Sequence, residues 1–246
     1  MDEPVSRARF VVPTLPRAGD TVRLPPEEAS HARSKRVARG DRVVLIDGSG
    51  READAEVLAM IRDATEVRVL EIRDAPPLRP EIRLAIAGIR GERLAWVAEK
   101  AGELGVARLS LVHTERTQSF RAGGAALERV ERIVRESAKQ SGSARWPECA
   151  GPLTLEEALA PETGSVHLIL DRDGAPFLRS AGVAPSPSSV SLLVGPEGGW
   201  TDGERDMARA AGWTAVALPG GTLRAETAAI AAVVLARAAF EEGHRW

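Results

Sequence analysis

Two glycine-rich segments near the end of the chain carry residue types that can hold and transform a small ligand. They read Gly195-Pro196-Glu197-Gly198-Gly199-Trp200 and Pro219-Gly220-Gly221-Thr222-Leu223-Arg224, and each directly follows a short apolar run. Glycine lets a ligand touch the backbone, and a fixed loop can hold its N–H and C=O groups towards a nucleoside. We therefore expect a ligand site built mainly from main-chain groups.

A charged pair follows the second segment. Arg224 and Glu226 stand at the start of a predicted final helix, whose stretch from Ala228 to Ala236 is entirely apolar. A helix N-terminus favours anions, so Glu226 has an ordinary explanation as a capping-type carboxylate. The functional alternative is that both side chains face a substrate in the cleft between the two segments. The sequence leaves both interpretations open.

Several familiar ligand motifs are missing from the sequence. It has no Gly-x-x-x-x-Gly-Lys, no Gly-x-Gly-x-x-Gly after the first α/β strand and no Gly-x-Ser-x-Gly. A P-loop, a Rossmann dinucleotide site and a nucleophile elbow are therefore not expected. The four histidines are far apart and Cys149 is the single cysteine, so we expect no metal site and no intrachain disulfide.

The chain from Ile82 onwards alternates between short apolar runs and helical patterns, which predicts an α/β domain. Continuous apolar character in the runs indicates a mostly parallel sheet. The predicted strands are Ile82–Ile89, Ala107–His113, Val166–Leu170, Val190–Val194 and Thr214–Leu218. Ligands bind beyond the carboxyl ends of such strands, which adds a third loop, 171–174, to the two glycine-rich ones. A capping box, Thr201 with Glu204, opens a predicted helix between the last two strands.

The residues before the proline-rich stretch 75–80 have a different pattern. Short apolar runs separated by turn signals predict a small β-barrel or sandwich, with one helix near Pro26 to Lys35. The turn Asp47–Gly50 joins two of its strands as in a hairpin. We therefore predict two domains, 1–75 and 76–246.

Charge is unevenly distributed. The formal net charge is −2, but residues 76–150 carry 13 basic and 9 acidic side chains, a net of +4. Arginine suits phosphate recognition, although an arginine-rich genome would give the same bias. The N-terminus lacks the pattern of a signal peptide and no apolar run is long enough for a membrane span, so we expect a cytoplasmic protein without membrane partners.

The ordered motifs resemble a known family. Leu193–Trp200 followed by Leu223–Ala228 is similar to the bacterial 16S ribosomal RNA (uracil-N3) methyltransferases, members of the SPOUT superfamily. Three further segments agree: Glu99–Val106, Thr114–Thr117, and Gln140–Gly142 with Arg145 and Pro147. His31, Arg36, Gly40-Asp41 and Asp47-Gly48 resemble the family's N-terminal barrel. The chain departs from the family at Leu218-Pro219, where the family usually has Leu-Gly, and so loses one backbone N–H.

The resemblance implies a fold and a reaction. The expected fold is an α/β SPOUT domain with a deep trefoil knot and a mostly parallel sheet, preceded by a small PUA-like β-barrel that binds RNA. The expected reaction is methylation of N3 of a uridine in 16S ribosomal RNA by S-adenosylmethionine, in a homodimer. The implied donor-binding residues are Leu170, Asp171, Val194, Gly195, Pro196, Gly198, Gly199, Leu218, Gly220, Leu223 and Thr227.

The implied catalytic group is Arg224, which would stabilise charge on the uracil carbonyl oxygens, with Glu226 or Glu197 as proton acceptor or as partner of Arg224. Candidate contacts to RNA phosphates are Arg33, Lys35, Arg36, Arg39, Arg116 and Arg145. Three alternatives remain open. They are another SPOUT enzyme acting on ribose 2′-oxygen or on a tRNA guanine, a non-catalytic RNA-binding ribosome assembly factor, and a nucleotide-dependent transferase that would bind ATP.

Overall fold

The computed structural model describes residues 7–61, 64–117, 124–177 and 187–240. These residues form two compact units. The first comprises the described residues up to Pro77 together with Ala138–Arg145, and the second comprises Leu78–Ser137 and the described residues from Trp146 onwards. The sequence pattern places the division after residue 75 and gives no sign that residues 138–145 join the first unit.

The first unit is a five-stranded sheet with one helix. Its elements are β1 (Arg9–Val11), β2 (Thr21–Arg23), α1 (Pro26–Ser34), β3 (Arg42–Ile46), β4 (Arg51–Ile61) and β5 (Ala64–Asp74). The strand order is β1-β3-β4-β5-β2, and only the β1–β3 pair is parallel. Among the described residues the edge strands β1 and β2 do not pair with each other, so the predicted barrel is an open sheet, built around one apolar core.

Strand β4 is absent from the sequence prediction, whose apolar runs in this part of the chain are Phe10–Val12, Thr21–Leu24, Val43–Ile46 and Val67–Ile72. It begins Arg-Glu-Ala-Asp-Ala-Glu, so small alanines alternate with charged side chains instead of large apolar ones. Ala53, Ala55 and Val57 nevertheless lie on the buried face, as the two-residue period of a strand requires. The predicted turn at Asp47–Gly50 therefore joins β3 to β4, a strand that the prediction omits.

Residues 138–145 are tied to the rest of the first unit by a buried ion pair. Lys139 Nζ lies 3.0 Å from Glu28 Oε1 on α1 and 3.3 Å from His31 Nδ1, and both the lysine and the glutamate are buried. Ala144 O accepts a hydrogen bond from Gly50 N at 3.2 Å. Buried charges are tolerated only when paired, so this contact fixes the segment firmly.

The second unit is a six-stranded parallel sheet between helices. Its elements are β6 (Glu81–Ala87), α2 (Gly91–Glu103), β7 (Arg108–Val112), α3 (Gly124–Gln140), β8 (Glu148–Leu153), α4 (Leu155–Ala158), β9 (Ser165–Pro176), β10 (Ser189–Val194), α5 (Asp202–Ala210), β11 (Thr214–Ala217) and α6 (Ala225–Phe240), the last residues of α3 belonging to the first unit. The order is β11-β9-β10-β6-β7-β8, with every neighbouring pair parallel, which confirms the predicted α/β class and parallel sheet. Strand β8, whose sequence contains Gly151 and Pro152, is not among the predicted strands.

The predicted loop at 171–174 lies inside strand β9. The register of β9 with β11 shifts between Ala215 and Val216, so that Ala215 pairs with Ile169 and Val216 with Ala175. Gly174 permits this irregular pairing, because a Cβ there would lie 2.5 Å from the Val216 backbone N. The prediction of a loop is wrong in that respect, since the chain bulges and then continues the strand.

Helix α6 is buried on one side only. Ala225, Ala229, Ala232, Val233 and Ala236 face the core, whereas Val234 is 44% exposed. The pattern that is apolar all round therefore includes a face that the described single chain leaves open. Within the described residues, no helix combines the length and apolar character needed to span a bilayer.

Candidate active site

A cleft of about 460 Å³ opens where β10 and β11 end, beside the bulge inside β9. Its walls are the β9 bulge at Leu170–Arg172, the loop 195–200 after β10 and the loop 218–224 after β11, hereafter the Gly195 loop and the Gly220 loop. Ala225 and Ala228 of α6 complete its lining. The volume falls within the range of small-ligand sites, and its position follows the rule for parallel sheets.

Ten of the eleven residues predicted to hold the donor line this cleft. They are Leu170, Asp171, Val194, Gly195, Pro196, Gly198, Gly199, Leu218, Gly220 and Leu223. The eleventh, Thr227, is exposed on α6 and does not line the cleft, although the next residue, Ala228, does. Pro219 is also absent from the lining, while its neighbours Leu218 and Gly220 contribute to it. The missing N–H of Pro219 therefore falls outside the wall.

Trp200 determines the shape of the Gly195 loop. Its buried indole Nε1–H donates to Leu170 O at 2.8 Å, which ties the loop to β9. A Cβ on Gly195 would lie 2.7 Å from Trp200 Cε2, so only glycine fits beneath the ring. Within the loop, Gly199 N donates to Pro196 O at 2.9 Å and closes a turn.

Arg116 holds the Gly195 loop from the other side. Its Nη1 donates to Gly198 O at 2.5 Å and to Trp200 O at 3.4 Å. The turn that carries it is closed by Thr114 N donating to Thr117 Oγ1 at 2.7 Å. The predicted phosphate-binding residue thus hydrogen-bonds two carbonyls of the cleft wall.

Glu204 joins the same two segments beneath the surface. It is 2% exposed, and its carboxylate accepts hydrogen bonds from Glu115 N at 2.9 Å and Thr201 N at 2.8 Å. The second bond belongs to the capping box of α5, which confirms that prediction. The bond to Glu115 is a further role that the sequence did not show.

An ion pair lies at the base of the cleft. Asp171 Oδ2 accepts a hydrogen bond from Arg205 Nε at 2.6 Å, and its Oδ1 accepts one from Asp173 N at 3.2 Å. Burial alone would raise the pKa of Asp171, but these bonds and the charge of Arg205 outweigh it and hold the pKa below its ordinary value. Arg205 and Arg172, which also line the cleft, were not found from the sequence.

Arg224 and Glu226 form no ion pair in the described structure, so the alternative in which Glu226 is the partner of Arg224 finds no support there. Arg224 lies just before α6, which begins at Ala225. Glu226 Oε1 instead lies 3.6 Å from Arg93 Nε on α2, and Arg93 Nη1 also contacts Glu197 Oε1. Glu197 lines the cleft, whereas Arg224 and Glu226 stand at its edge beside Leu223 and Ala225.

The candidate phosphate contacts divide among three places. Arg33, Lys35, Arg36 and Arg39 are all exposed at the end of α1 and in the turn after it. Arg145 also belongs to the first unit, but packs over Gly50 and donates to Ala75 O at 3.3 Å. Arg116 belongs to the second unit, as described above.

Five arginines elsewhere in the first unit are paired with carboxylates. The pairs are Arg7–Asp54, Arg9–Glu52, Arg23–Glu66, Arg68–Glu56 and Arg73–Asp54. Lys35, Arg36 and Arg39 form no ion pair with the described residues. Metal binding has no comparable support, since the described residues hold no group of three or more His, Cys, Asp or Glu that could ligate an ion.

Comparison with known proteins agrees with this geometry. An RNA methyltransferase domain family matches residues 76–237, and an RNA methyltransferase PUA domain family matches residues 24–70. Ribosomal RNA small subunit methyltransferase E from Mycobacterium tuberculosis is 32% identical over 91% of this chain and 88% of its own length. The chain belongs to the ribosomal RNA small subunit methyltransferase E family.

Solved structures of this fold contain the methyl donor. Ribosomal RNA small subunit methyltransferase E from Neisseria gonorrhoeae, bound to S-adenosylmethionine, superposes with a TM-score of 0.84 at 29% identity, over 93% of this chain and 95% of that one. A Legionella pneumophila protein in complex with the same cofactor gives a TM-score of 0.86 at 28% identity, over 96% and 98% of the two chains. The fold of this methyltransferase E family member is therefore that of proteins that bind S-adenosylmethionine.

Proposed function

We propose that this protein transfers the methyl group of S-adenosylmethionine to N3 of a uridine in the 16S ribosomal RNA of the small ribosomal subunit. The observation that carries the proposal is the cleft itself. Three chain segments that the family motif marks from sequence meet there, and ten predicted donor-binding residues line it. Family membership supports the class of reaction, and the acceptor atom comes from the motif resemblance.

The residues of the cleft fit the donor. S-adenosylmethionine combines an apolar adenine, ribose hydroxyls, a cationic sulfur and a zwitterionic amino-acid end. The lining supplies apolar Leu170, Val194 and Leu218, backbone groups of the two glycine-containing loops, and side chains of both charges. Gly195 has no room for a Cβ because the Trp200 ring fills that space, so the loop is held in one conformation before the donor binds. When bound, the donor supplies an electrophilic methyl group and its sulfur leaves as a neutral thioether.

The chain's own residues must manage a proton and a developing charge. Neutral uracil carries a proton on N3 and is a poor nucleophile, so that proton must leave before or during transfer. Arg224 is exposed beside the cleft with no ion-pair partner among the described residues, free to face the uracil carbonyl oxygens. Glu197 or Glu226 accepts the proton. Arg224 stabilises negative charge on the ring.

RNA binding falls to the cationic surface of the first unit. Lys35, Arg36 and Arg39 are exposed and unpaired among the described residues, and Arg33 is exposed beside them. N3 lies on the pairing edge of uracil, so the base must be unpaired or flipped out to be reached. Phosphate contacts by these side chains make the affinity for RNA fall with salt.

The proposal includes a knotted C-terminal segment, a homodimer and a cytoplasmic location beside the ribosome. The knot is proposed from the family resemblance. In the structure, α6 follows the edge strand β11 and packs on the central strands β10 and β6 and on α2. Support for the dimer is the exposure of Val234 on α6 (44%) and Trp96 on α2 (40%). Contiguous exposed apolar patches mark protein–protein interfaces, and the two helices that carry these side chains pack against each other.

The test is nucleoside mass spectrometry. Small-subunit RNA that lacks the modification is incubated with protein and S-adenosylmethionine, digested and analysed for methylated nucleosides. We expect N3-methyluridine. A methyl group on ribose or guanine would contradict the proposed acceptor, and absence of any heat of donor binding in calorimetry would favour a non-catalytic assembly factor.

A further inference from the structure

Arg93 connects two carboxylates that come from different elements. It is the third residue of α2, Glu197 belongs to the Gly195 loop, and Glu226 lies in the first turn of α6. Arg93 Nη1 contacts Glu197 Oε1, and Arg93 Nε lies 3.6 Å from Glu226 Oε1. One guanidinium therefore links the loop to the helix that follows Arg224.

The position of Arg93 is unfavourable for its own helix. The N-terminus of a helix carries a partial positive charge, so a cation in the first turn is destabilising. Glu226 occupies the favourable counterpart, an anion in the first turn of α6. The helix dipole thus accounts for the position of Glu226 but not for that of Arg93. This points to a role for Arg93 in linking Glu197 to Glu226.

Glu226 depends on this cation. Its side chain is 12% exposed, and its Oε2 is buried without a hydrogen-bond partner in the described structure. A carboxylate removed from water needs an opposite charge. Glu197 is far more exposed, so water can solvate its charge without help from Arg93. What the contact with Arg93 determines is where the Glu197 carboxylate lies.

Resting on the proposed function, we propose that Arg93 is a positioning residue that acts through Glu197, by anchoring the Gly195 loop to the start of α6. The anchor sets where Glu197 lies in the cleft relative to the acceptor base. Arg93 does not line the cleft, so its effect on transfer passes through the carboxylate that does. A misplacement of about 1 Å costs on the order of 100-fold in rate.

The experiment compares Arg93→Gln, Arg93→Lys and Arg209→Gln. Arg209 is a matched control, because it forms an exposed ion pair with Asp206 on α5 of the same unit. We expect Arg93→Gln to lower kcat about 10- to 100-fold while the Kd for S-adenosylmethionine changes less than about 3-fold. Lysine restores part of the rate, because it keeps the charge but reaches one carboxylate at a time. The control stays at the wild-type rate.

A double-mutant cycle decides whether Arg93 acts through Glu197. In a Glu197→Gln background, Arg93→Gln should cost less than about 3-fold in kcat, since the contact is already lost. An equal cost in both backgrounds overturns the inference, as does a wild-type rate in Arg93→Gln.

Hydrogen exchange keeps this inference separate from the proposed acceptor. Amides of residues 195–200 should exchange faster in Arg93→Gln than in Arg209→Gln, because only the first loses the anchor. Unchanged exchange overturns the anchor whatever the acceptor is. Transfer of the methyl group to another atom overturns the proposed function, while the exchange result still decides the role of Arg93.

Discussion

The two glycine-rich walls of the cleft are held in opposite ways. The Gly195 loop is fixed by Trp200 on β9, by Arg116 on two carbonyls and by Arg93 on Glu197. The side chains of the Gly220 loop form no hydrogen bond or ion pair with the residues that the structure describes. Its residues from Gly220 to Arg224 are all exposed.

This difference assigns separate tasks to the two walls. A fixed wall holds its backbone groups in place before a ligand arrives, so little energy is spent on reorganisation during the reaction. An unfixed wall can adjust when the acceptor base enters, as loops at the low-stability end of a protein do. We therefore expect changes at Gly195 and Arg116 to affect donor binding or stability. Changes at Glu197, at its partner Arg93 and in the Gly220 loop should instead affect transfer.

Arg224→Ala should have the largest effect. Loss of a group that stabilises transition-state charge costs about 100- to 1000-fold in kcat. Because the exposed Arg224 side chain forms no hydrogen bond or ion pair with the described residues, Tm and the Kd for S-adenosylmethionine should stay near wild type. Turnover, calorimetry and thermal melting measure the three quantities. Normal turnover would remove Arg224 from the mechanism.

Alanine at Gly195 and at Gly221 tests the two walls directly. A Cβ at Gly195 would lie 2.7 Å from the Trp200 ring, whereas a Cβ at Gly221 meets nothing within 4 Å. Overpacking costs about 1–3 kcal/mol, so Gly195→Ala should lower the free energy of unfolding by that amount and weaken donor binding. Gly221→Ala should change stability by less than about 0.5 kcal/mol. If the two variants have equal effects on thermal stability and on donor binding, the proposed difference between the two walls is wrong.

Arg116 and Arg36 distinguish a residue that fixes the cleft wall from one that contacts phosphate. If Arg36 contacts one phosphate, Arg36→Ala should reduce the slope of log affinity for RNA against log salt by about 0.7–0.9. Arg116→Ala should leave that slope unchanged and weaken donor binding, because its hydrogen bonds go to Gly198 O and Trp200 O. A shallower slope for Arg116→Ala would show that Arg116 contacts an RNA phosphate after all.

The smallest expected effect is a pH dependence at Asp171. Its pKa lies below the ordinary value, so the stabilisation by Arg205 is present above about pH 4 and is lost as pH falls through the lowered pKa. Asp171→Asn should be less stable than wild type at pH 7. In denaturant melts, the difference in stability between the two proteins should shrink as the pH falls through the lowered pKa of Asp171. A difference that does not change with pH would exclude the ion pair as its cause.

The sequence was enough to predict the elements whose formation depends on a local pattern of residues. Apolar runs and the Thr201–Glu204 box located strands β6, β7, β9, β10 and β11 and helix α5, because each depends on neighbouring residues. Strand β4 was missed since its buried face is built from alanines, and β8 was missed because its Gly151 and Pro152 are typical of turns. The glycine-rich motifs were enough to locate two walls of the cleft, because each lies directly after a strand of the parallel sheet.

Contacts between distant segments could not be predicted in the same way. Arg93 lies more than a hundred residues before Glu197 and Glu226, and nothing in its local sequence marks that pairing. Arg116 is predicted to bind phosphate because the sequence shows its positive charge. The sequence does not show the two carbonyl groups that its side chain contacts. The one available signal for Arg93 was a cation in the first turn of a helix, a position that the helix itself disfavours.

The most direct test is a crystal structure of this protein with S-adenosylmethionine. The donor should lie in the cleft between the β9 bulge, the Gly195 loop and the Gly220 loop, with hydrogen bonds to main-chain groups of those segments. The Gly195 loop should keep the hydrogen bonds made by Trp200 and Arg116, while the Gly220 loop moves more. A donor bound elsewhere, or a Gly195 loop that rearranges to admit it, would contradict the account.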